Sequence, residues 1–451
     1  MWNKKELEQA LSQPINLDDF NTNSLVIDSR KIKENDIFVA LKGEHADGHL
    51  FIEDALSRGA IVAITEANTN IHNTIIVPNS LNAILDLAKY RRTASKAEII
   101  GVTGSSGKTS TKEALMIALQ PNAYCSEGNY NNHIGVPISL ANLDPNSLFA
   151  IFEMGMSAKN EIRELTKLVN PSIAIITNIA PAHLKFFDSL EDIASAKAEI
   201  FETQTPLKHA ILNKDNPFFE TLKQYAKQAN VQNIISFGTS KSDATLLSYE
   251  QDNNIASIKA DIMGDIITYQ ISASGIHQAL NTIVALSVVK LLNLDIQQAA
   301  HSLTKFNVPK GRGGKSRLKI NNNNITLIDD SYNANPASMK ASLAYVAGMS
   351  GHARKVAVLG SMLELGPSEI AFHTELLADF IKSGCVLIAL GDLMSELYDI
   401  LPTELKLAKF GNIDELSKSL PNLLQDGDLL LIKGSFGTKL HTIANNLPKM
   451  F

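Results

Sequence analysis

Short β-branched apolar blocks recur along the chain, each closed by a polar or glycine position. SLVIDSR (24–30), DIFVAL (36–41) and IVAIT (61–65) read as strands. Between the last two, IEDALSRGA reads as a helix closed by Gly59 as its C-cap. AEIIGVT (97–103), LFAIFE (148–153), IAIITN (173–178) and HAILNKDN (209–216) continue the series, with helical runs between them. Such alternation predicts a parallel, doubly wound sheet. From 234 to 274 the segments ATLLSY, IASIKADI and DIITYQIS alternate in polarity, which predicts an antiparallel extension of the same unit. GIHQALNTIVALSVVKLL (275–292) follows as a long apolar helix. ITLIDD, KVAVLG, CVLIALGD and DLLLIKGS then predict a second doubly wound unit, and Asn321–Asn324 a hairpin turn before it. The expected architecture is an α/β chain of three units, 1–88, 89–309 and 310–451.

Composition narrows the class. The chain has 451 residues, 45% apolar and 20% charged, which suits several full cores. A net charge of −6 argues against non-specific nucleic-acid binding. The two cysteines, Cys125 and Cys385, lie far apart and suit buried thiols in a reducing compartment. MWNKKELEQAL reads as a polar helix start without a signal-peptide core. No apolar run reaches bilayer-spanning length. A cytoplasmic protein without membrane insertion is expected.

Candidate chemistry centres on AEIIGVTGSSGKTSTKEALMIALQ (97–120), read as strand, glycine-rich turn and helix. Backbone N–H groups across Gly104, Ser105, Ser106, Gly107, Lys108, Thr109 and Ser110 can wrap a polyphosphate at the helix N-terminus. Lys108 would reach the outer phosphates and the Thr109 hydroxyl would hold Mg²⁺. The strict phosphate-loop pattern asks for glycine at position 102, where this chain has Val102. GKT nonetheless sits in the strand–turn–helix context that the motif requires. Glu153 ends a neighbouring strand, placed either for metal contact or simply for solvent. His183 stands in a loop after IAIITN, a ligand candidate or an ordinary packed histidine. Lys197 lies on the helical run SLEDIASAKAEIFE, where pairing with Glu199 or Glu202 is the plain alternative.

TGSSGKTSTKE, NYNNHIGVP (129–137), EMGMS (153–157), AHL (182–184), AKAEIF (196–201), GIHQALN (275–281) and DDSYNANPASM (329–339) occur in that order. Together they resemble the Mur ligases, the ATP-dependent amide-forming enzymes of bacterial cell-wall precursor synthesis. The likeness covers essentially the whole chain. DDSYNANPASM with LGSMLELG (359–366) looks most like the branch that adds D-alanyl-D-alanine to UDP-N-acetylmuramoyl-tripeptide.

The resemblance implies a division of labour. The first unit would hold the UDP end near Ser29 and Arg30, the central unit ATP and Mg²⁺, and the third would close over both. Lys108, His183 and Lys197 would be the catalytic residues. Thr109 and Glu153 would hold one Mg²⁺, and His183 a second with Lys197 as a carbamate. Asn281 would meet the adenine end, and Arg312 and Asp330 would meet ATP from the closing side. Asn132, Asn333 and Asn335 resemble residues lining the peptide cleft. A monomer is expected. The chain departs from the family pattern at Gln278, where Asn is common, at Ser361, where Asp is common, and at Phe436, where Arg is common.

Three other readings stand beside this one. A switch GTPase is weakened because NKDN (213–216) ends in Asn216 where the guanine motif N-K-x-D needs a carboxylate. A folate polyglutamylating ligase would lack the extra N-terminal unit and the NANPASM stretch. A non-catalytic nucleotide-binding scaffold would not need Glu153, His183 and Lys197 together.

Overall fold

The computed structural model describes residues 1–447 apart from 44–45, 182–183 and 253–254. Among the described residues there are three sheets. The first is parallel: β1 (Leu25–Val26), β2 (Asp36–Val39), β3 (Ala60–Thr65) and β4 (Thr74–Ile76), in that order. β2 is buried along its whole length, Asp36 included, and its apolar run Ile37–Val39 suits a strand covered on both faces. The helix Ile52–Ser57 has Arg58 as its C-cap, one residue before the expected Gly59, which follows at φ 111°, a conformation that costs glycine little.

The central sheet contains β5 (Glu98–Thr103), β6 (Ala123–Cys125), β7 (Phe149–Glu153), β8 (Ile173–Ile176) and β9 (His209–Asn213). It continues with β10 (Asn233–Gly238), β11 (Ala244–Asp252), β12 (Ile255–Ile262) and β13 (Asp265–Ile271). The strand order is β13-β12-β11-β10-β9-β8-β5-β7-β6. Pairing is parallel from β6 through β11, and antiparallel across β11, β12 and β13, which is the expected extension. The winding direction reverses between β5 and β8. Such a reversal leaves a crevice at the carboxyl ends of the strands, where ligands bind in open α/β sheets. The nucleotide loop leaves β5 at this point.

The third sheet has the order β14 (Gly314–Ile320), β15 (Asn323–Asp330), β19 (Leu429–Lys433), β16 (Lys355–Gly360), β17 (Cys385–Leu390), β18 (Lys406–Phe410). It buries one apolar cluster on each face. The polar strand β14 gives no apolar-block signal, because it is an edge strand with mostly solvent-facing side chains. Its hairpin to β15 turns at Asn321 and Asn322, both at positive φ (48° and 69°), which is why asparagine suits the turn.

The first unit does not close its own core. One apolar cluster runs from Trp2 and Leu7 through Ile99 to Phe152 and Ala226, crossing from the first unit into the central one. The helix Ser80–Ala94 runs across the expected join at 88–89. Polar contacts help to seal the seam. Trp2 is fully buried and its indole N–H donates to the Ala141 carbonyl at 3.0 Å. The Asn142 amide accepts from Leu25 N–H at 2.7 Å and donates to Leu25 O at 2.8 Å, pairing with β1 as a strand would. The Arg91 guanidinium lies 4.0 Å from the Trp2 ring. No helix among the described residues is long and apolar enough to cross a membrane.

Because Trp2 is the single tryptophan, its emission reports this seam directly. Trp2→Ala should cost about 3–5 kcal/mol in unfolding free energy by denaturant titration. In the wild type, tryptophan emission and loss of helical circular dichroism for the first two units should change together. A separate early emission change would show that the first unit opens alone.

Candidate active site

The nucleotide loop is shaped by close backbone approach. Gly104 has φ 150°, and a Cβ there would stand 1.9 Å from Thr177 Oγ1. Gly107 has φ 83° and caps the helix Lys108–Ala118. The loop is fastened to the end of β8. Ser105 N–H donates to Asn178 O at 2.8 Å, Ser105 Oγ donates to Ala180 O at 2.9 Å, and Thr177 Oγ1 donates to Ser106 O. Ser110 is buried in the first turn of the helix.

Lys108 curls back over the loop, its ammonium donating to Gly104 O at 2.7 Å. Enclosure lowers its pKa; the Glu153 carboxylate opposes that shift and the Arg312 guanidinium adds to it. Thr109 Oγ1 donates to Glu153 Oε2 at 2.8 Å, and Asn131 Nδ2 donates to Glu153 Oε1 at 2.8 Å. Glu153 is 1% exposed, and each of its carboxylate oxygens is held by one of these donors. Lys197 is 2% exposed in the last turn of the helix Leu190–Ala198. Burial pushes its pKa well below the usual lysine range, and the charge on Lys108 pushes it further. The expected partner His183 lies outside the described residues.

Asn281 closes the loop from the long central helix Ile276–Leu291. Its Oδ1 accepts from Thr111 Oγ1 at 3.1 Å, and its Nδ2 donates to Gln278 Oε1 at 3.2 Å. The departure at Gln278 is therefore a buried support for Asn281. Ser361, the second departure, is buried with its hydroxyl donating to Leu390 O at 3.4 Å.

The third unit meets this site along two edges. Arg312 lies 4.2 Å from the Tyr332 ring, near enough to Lys108 to depress its pKa. Tyr332 leans on Phe436, which stacks on His441 at 4.3 Å, so an aromatic ladder stands where the family pattern has a charge. Asp330 accepts from Lys433 Nζ at 2.7 Å and from Ser342 Oγ at 2.5 Å. His277 of the central unit faces this ion pair. Lys433 also donates to Asn333 O at 3.0 Å, and Asn335 caps the helix Pro336–Ala347 by accepting from Ser338 N–H at 2.8 Å.

A cavity of about 660 Å³ opens between the first and central units. Arg30, Lys31 and Lys33 line one side, and Tyr124, Glu127 and Tyr130 the other. Arg30 is held by Asp28 through two hydrogen bonds of 2.8 Å. Ser29 is buried with its side chain toward the Asp54 carboxylate. The Asn132 side chain accepts from Gly135 N–H at 2.9 Å and so shapes the start of the helix Gly135–Ala141.

Lys108, Thr109, Glu153, Lys197 and Asn281 thus converge on one loop, with Arg312 brought to it from the third unit. The sequence reading passed over Asn131, Thr177 and Lys433. Thr177 and Lys433 carried a usable signal, since each is a polar residue at the carboxyl end of an apolar strand. Asn131 carried none that separates it from Asn132.

Comparisons with known proteins identify the family and the fold. The Mur ligase family catalytic domain matches residues 21–100, the Mur ligase middle domain 102–289, and the Mur ligase glutamate ligase domain 316–436. The UDP-N-acetylmuramoyl-tripeptide–D-alanyl-D-alanine ligase of Rickettsia prowazekii is 38% identical, over 99% of this chain and 99% of its own. A crystal structure of MurF from Acinetobacter baumannii superposes with a TM-score of 0.83 at 29% identity, covering 99% of each chain. MurF from Thermotoga maritima in complex with ADP gives 0.78 at 27% identity, over 95% of this chain and 97% of its own. With matched segments in all three units and a relative aligned end to end, the chain belongs to the Mur ligase family.

Proposed function

We propose that this chain joins D-alanyl-D-alanine to UDP-N-acetylmuramoyl-tripeptide with ATP, through an acyl phosphate, as a cytoplasmic monomer. One observation carries the reading. Lys108, Thr109, Glu153 and Lys197 share one enclosed site, and Arg312 enters it from a different unit. The end-to-end relatedness to D-alanyl-D-alanine-adding ligases favours this branch over the folate-type alternative.

In this reading the first unit and the wall Tyr124–Tyr130 hold the UDP end, with Arg30 as a cation and Ser29 behind it. The loop 104–110 cradles the phosphates of ATP, Asn281 meets the adenine end, and Arg312 and Asp330 approach from the third unit. Asn132, Asn333 and Asn335 bound the peptide cleft. The tripeptide carboxylate attacks the γ-phosphorus, and ADP leaves. The dipeptide amine then attacks the acyl carbon, forms a tetrahedral intermediate, and expels phosphate. The first step brings two anions together, so Lys108 and Arg312 act mainly by offsetting charge and fixing position.

Glu153 and Thr109 fit Mg²⁺. They offer hard oxygen donors, and Mg²⁺ is commonly held by one or two carboxylates together with substrate phosphates and water. Lys197 as a carbamate, with His183, would hold a second ion. When bound, the ions neutralise charge on the phosphates. An ammonium at Lys197 would face Lys108 and metal with like charge. Carbamate formation bonds the amine nitrogen to the carbon of CO₂ and releases a proton, leaving an anionic oxygen donor.

Lys108→Ala should lower turnover by about 10²–10³-fold, the usual effect of losing one preorganised charge-stabilising donor, with unchanged thermal unfolding. Wild-type turnover in that variant would remove Lys108 from the chemistry. Lys197→Ala should be nearly inactive and partly restored by short carboxylates, while Lys197→Arg stays inactive. Isotopically labelled CO₂ should give a carbamate carbon resonance in the wild type that Lys197→Ala lacks. A fully active Lys197→Arg, or no such resonance, would contradict the carbamate. Among acceptors, phosphate release should require D-alanyl-D-alanine; equal turnover with D-alanine or glutamate would move the chain to another branch.

A further inference from the structure

One buried charge has no part in the chemistry above. Lys112 lies one helical turn beyond Lys108 on the same helix and is 0% exposed. Its ammonium donates to Ser126 O at 2.7 Å and to Gly128 O at 2.8 Å, and lies 3.3 Å from Glu113 Oε1. Burying an ammonium is costly unless its donors are satisfied, and an apolar side chain could fill the volume without that cost. What the charge adds is a fixed geometry for the backbone it grips.

That backbone is the loop 126–132, and it serves both ligand regions. Glu127 and Tyr130 line the cavity between the first and central units. Glu127 lies 3.7 Å from Lys31 of the first unit, and Lys31 stands over the Tyr130 ring. On its other side the loop presents Asn131, whose amide donates to Glu153 and whose carbonyl accepts from Gly155 N–H at 2.7 Å. Lys112 is thus the tie between the nucleotide-loop helix and the wall of the second cavity.

We propose that Lys112 is a positioning residue that holds the loop 126–132 in the shape that accepts the UDP-bearing substrate. The inference rests on the reading of that cavity given above. Lys112 grips the loop at Ser126 and Gly128, beside the cavity residues Glu127 and Tyr130, so losing it should weaken the UDP-substrate more than the nucleotide.

The test titrates wild type, Lys112→Gln and Lys112→Met calorimetrically with UDP-N-acetylmuramoyl-tripeptide and, separately, with a non-hydrolysable ATP analogue. Affinity for the UDP-substrate should fall about tenfold or more in Lys112→Met and less in Lys112→Gln, which keeps one donor group. Affinity for the ATP analogue should fall by clearly less than that for the UDP-substrate in each variant. In turnover assays the KM for the UDP-substrate should rise while kcat changes little. Amide exchange at 126–132 should quicken in the order wild type, Gln, Met. If Lys112→Met does not fold, Lys112→Gln carries the same comparison. Equal UDP-substrate affinity in the variants, or parallel losses for both ligands, would overturn the inference. A wild type that does not bind the UDP-substrate would overturn the reading of the cavity, and the inference with it.

Discussion

Enclosure of charge away from water is the constraint on which the site depends. Lys108 is pushed toward its neutral form by enclosure and by Arg312, and Lys197 by burial and by Lys108. Glu153 is the carboxylate that opposes the shift at Lys108. Two lysines and an arginine drawn from two units are therefore gathered in one enclosed place, with Glu153 beside them. A polyphosphate entering there meets Lys108 and Arg312 where little water competes for them, which is the electrostatic condition for bringing two anionic reactants together.

The rest of the fold serves to keep those groups in place. The reversal between β5 and β8 opens the crevice, and Thr177 and Asn178 at the end of β8 fasten the loop that fills it. Asn131 and Thr109 each hold one carboxylate oxygen of Glu153. The third sheet places Asp330 and Lys433 on adjacent parallel strands in direct register, so that their ion pair is set by backbone pairing. Trp2 and Asn142 bind the first unit to the central core, which fixes the mouth of the second cavity. The architecture is one of braces between units more than of three separate domains.

Much of this was legible in the residues. Buried strands announce themselves by short continuous apolar runs, so β5, β7, β8, β16 and β19 were readable, as was the Asn-rich hairpin before β15. The edge strand β14 was not, because its polar side chains carry no burial signal. Lys108, Thr109 and Glu153 were named from local pattern and are found in contact or close by. The supports were harder. Asn131 and Asn132 are adjacent and identical, and only the turn that follows decides which faces Glu153. Arg312 reaches the loop through the packing of the third unit against the second, which no local pattern encodes. Gln278 departs from the family pattern yet supports Asn281, since a longer amide still reaches its neighbour one turn away.

The central claim is that Lys108 and Arg312 help deliver a substrate carboxylate to the γ-phosphorus of ATP. Oxygen transfer tests it most directly. UDP-N-acetylmuramoyl-tripeptide labelled with heavy oxygen in its reacting carboxylate is turned over with ATP and D-alanyl-D-alanine, and the released phosphate is analysed by mass spectrometry. The account predicts that the phosphate carries a labelled oxygen from the carboxylate. Unlabelled phosphate, with amide product still formed, would contradict it.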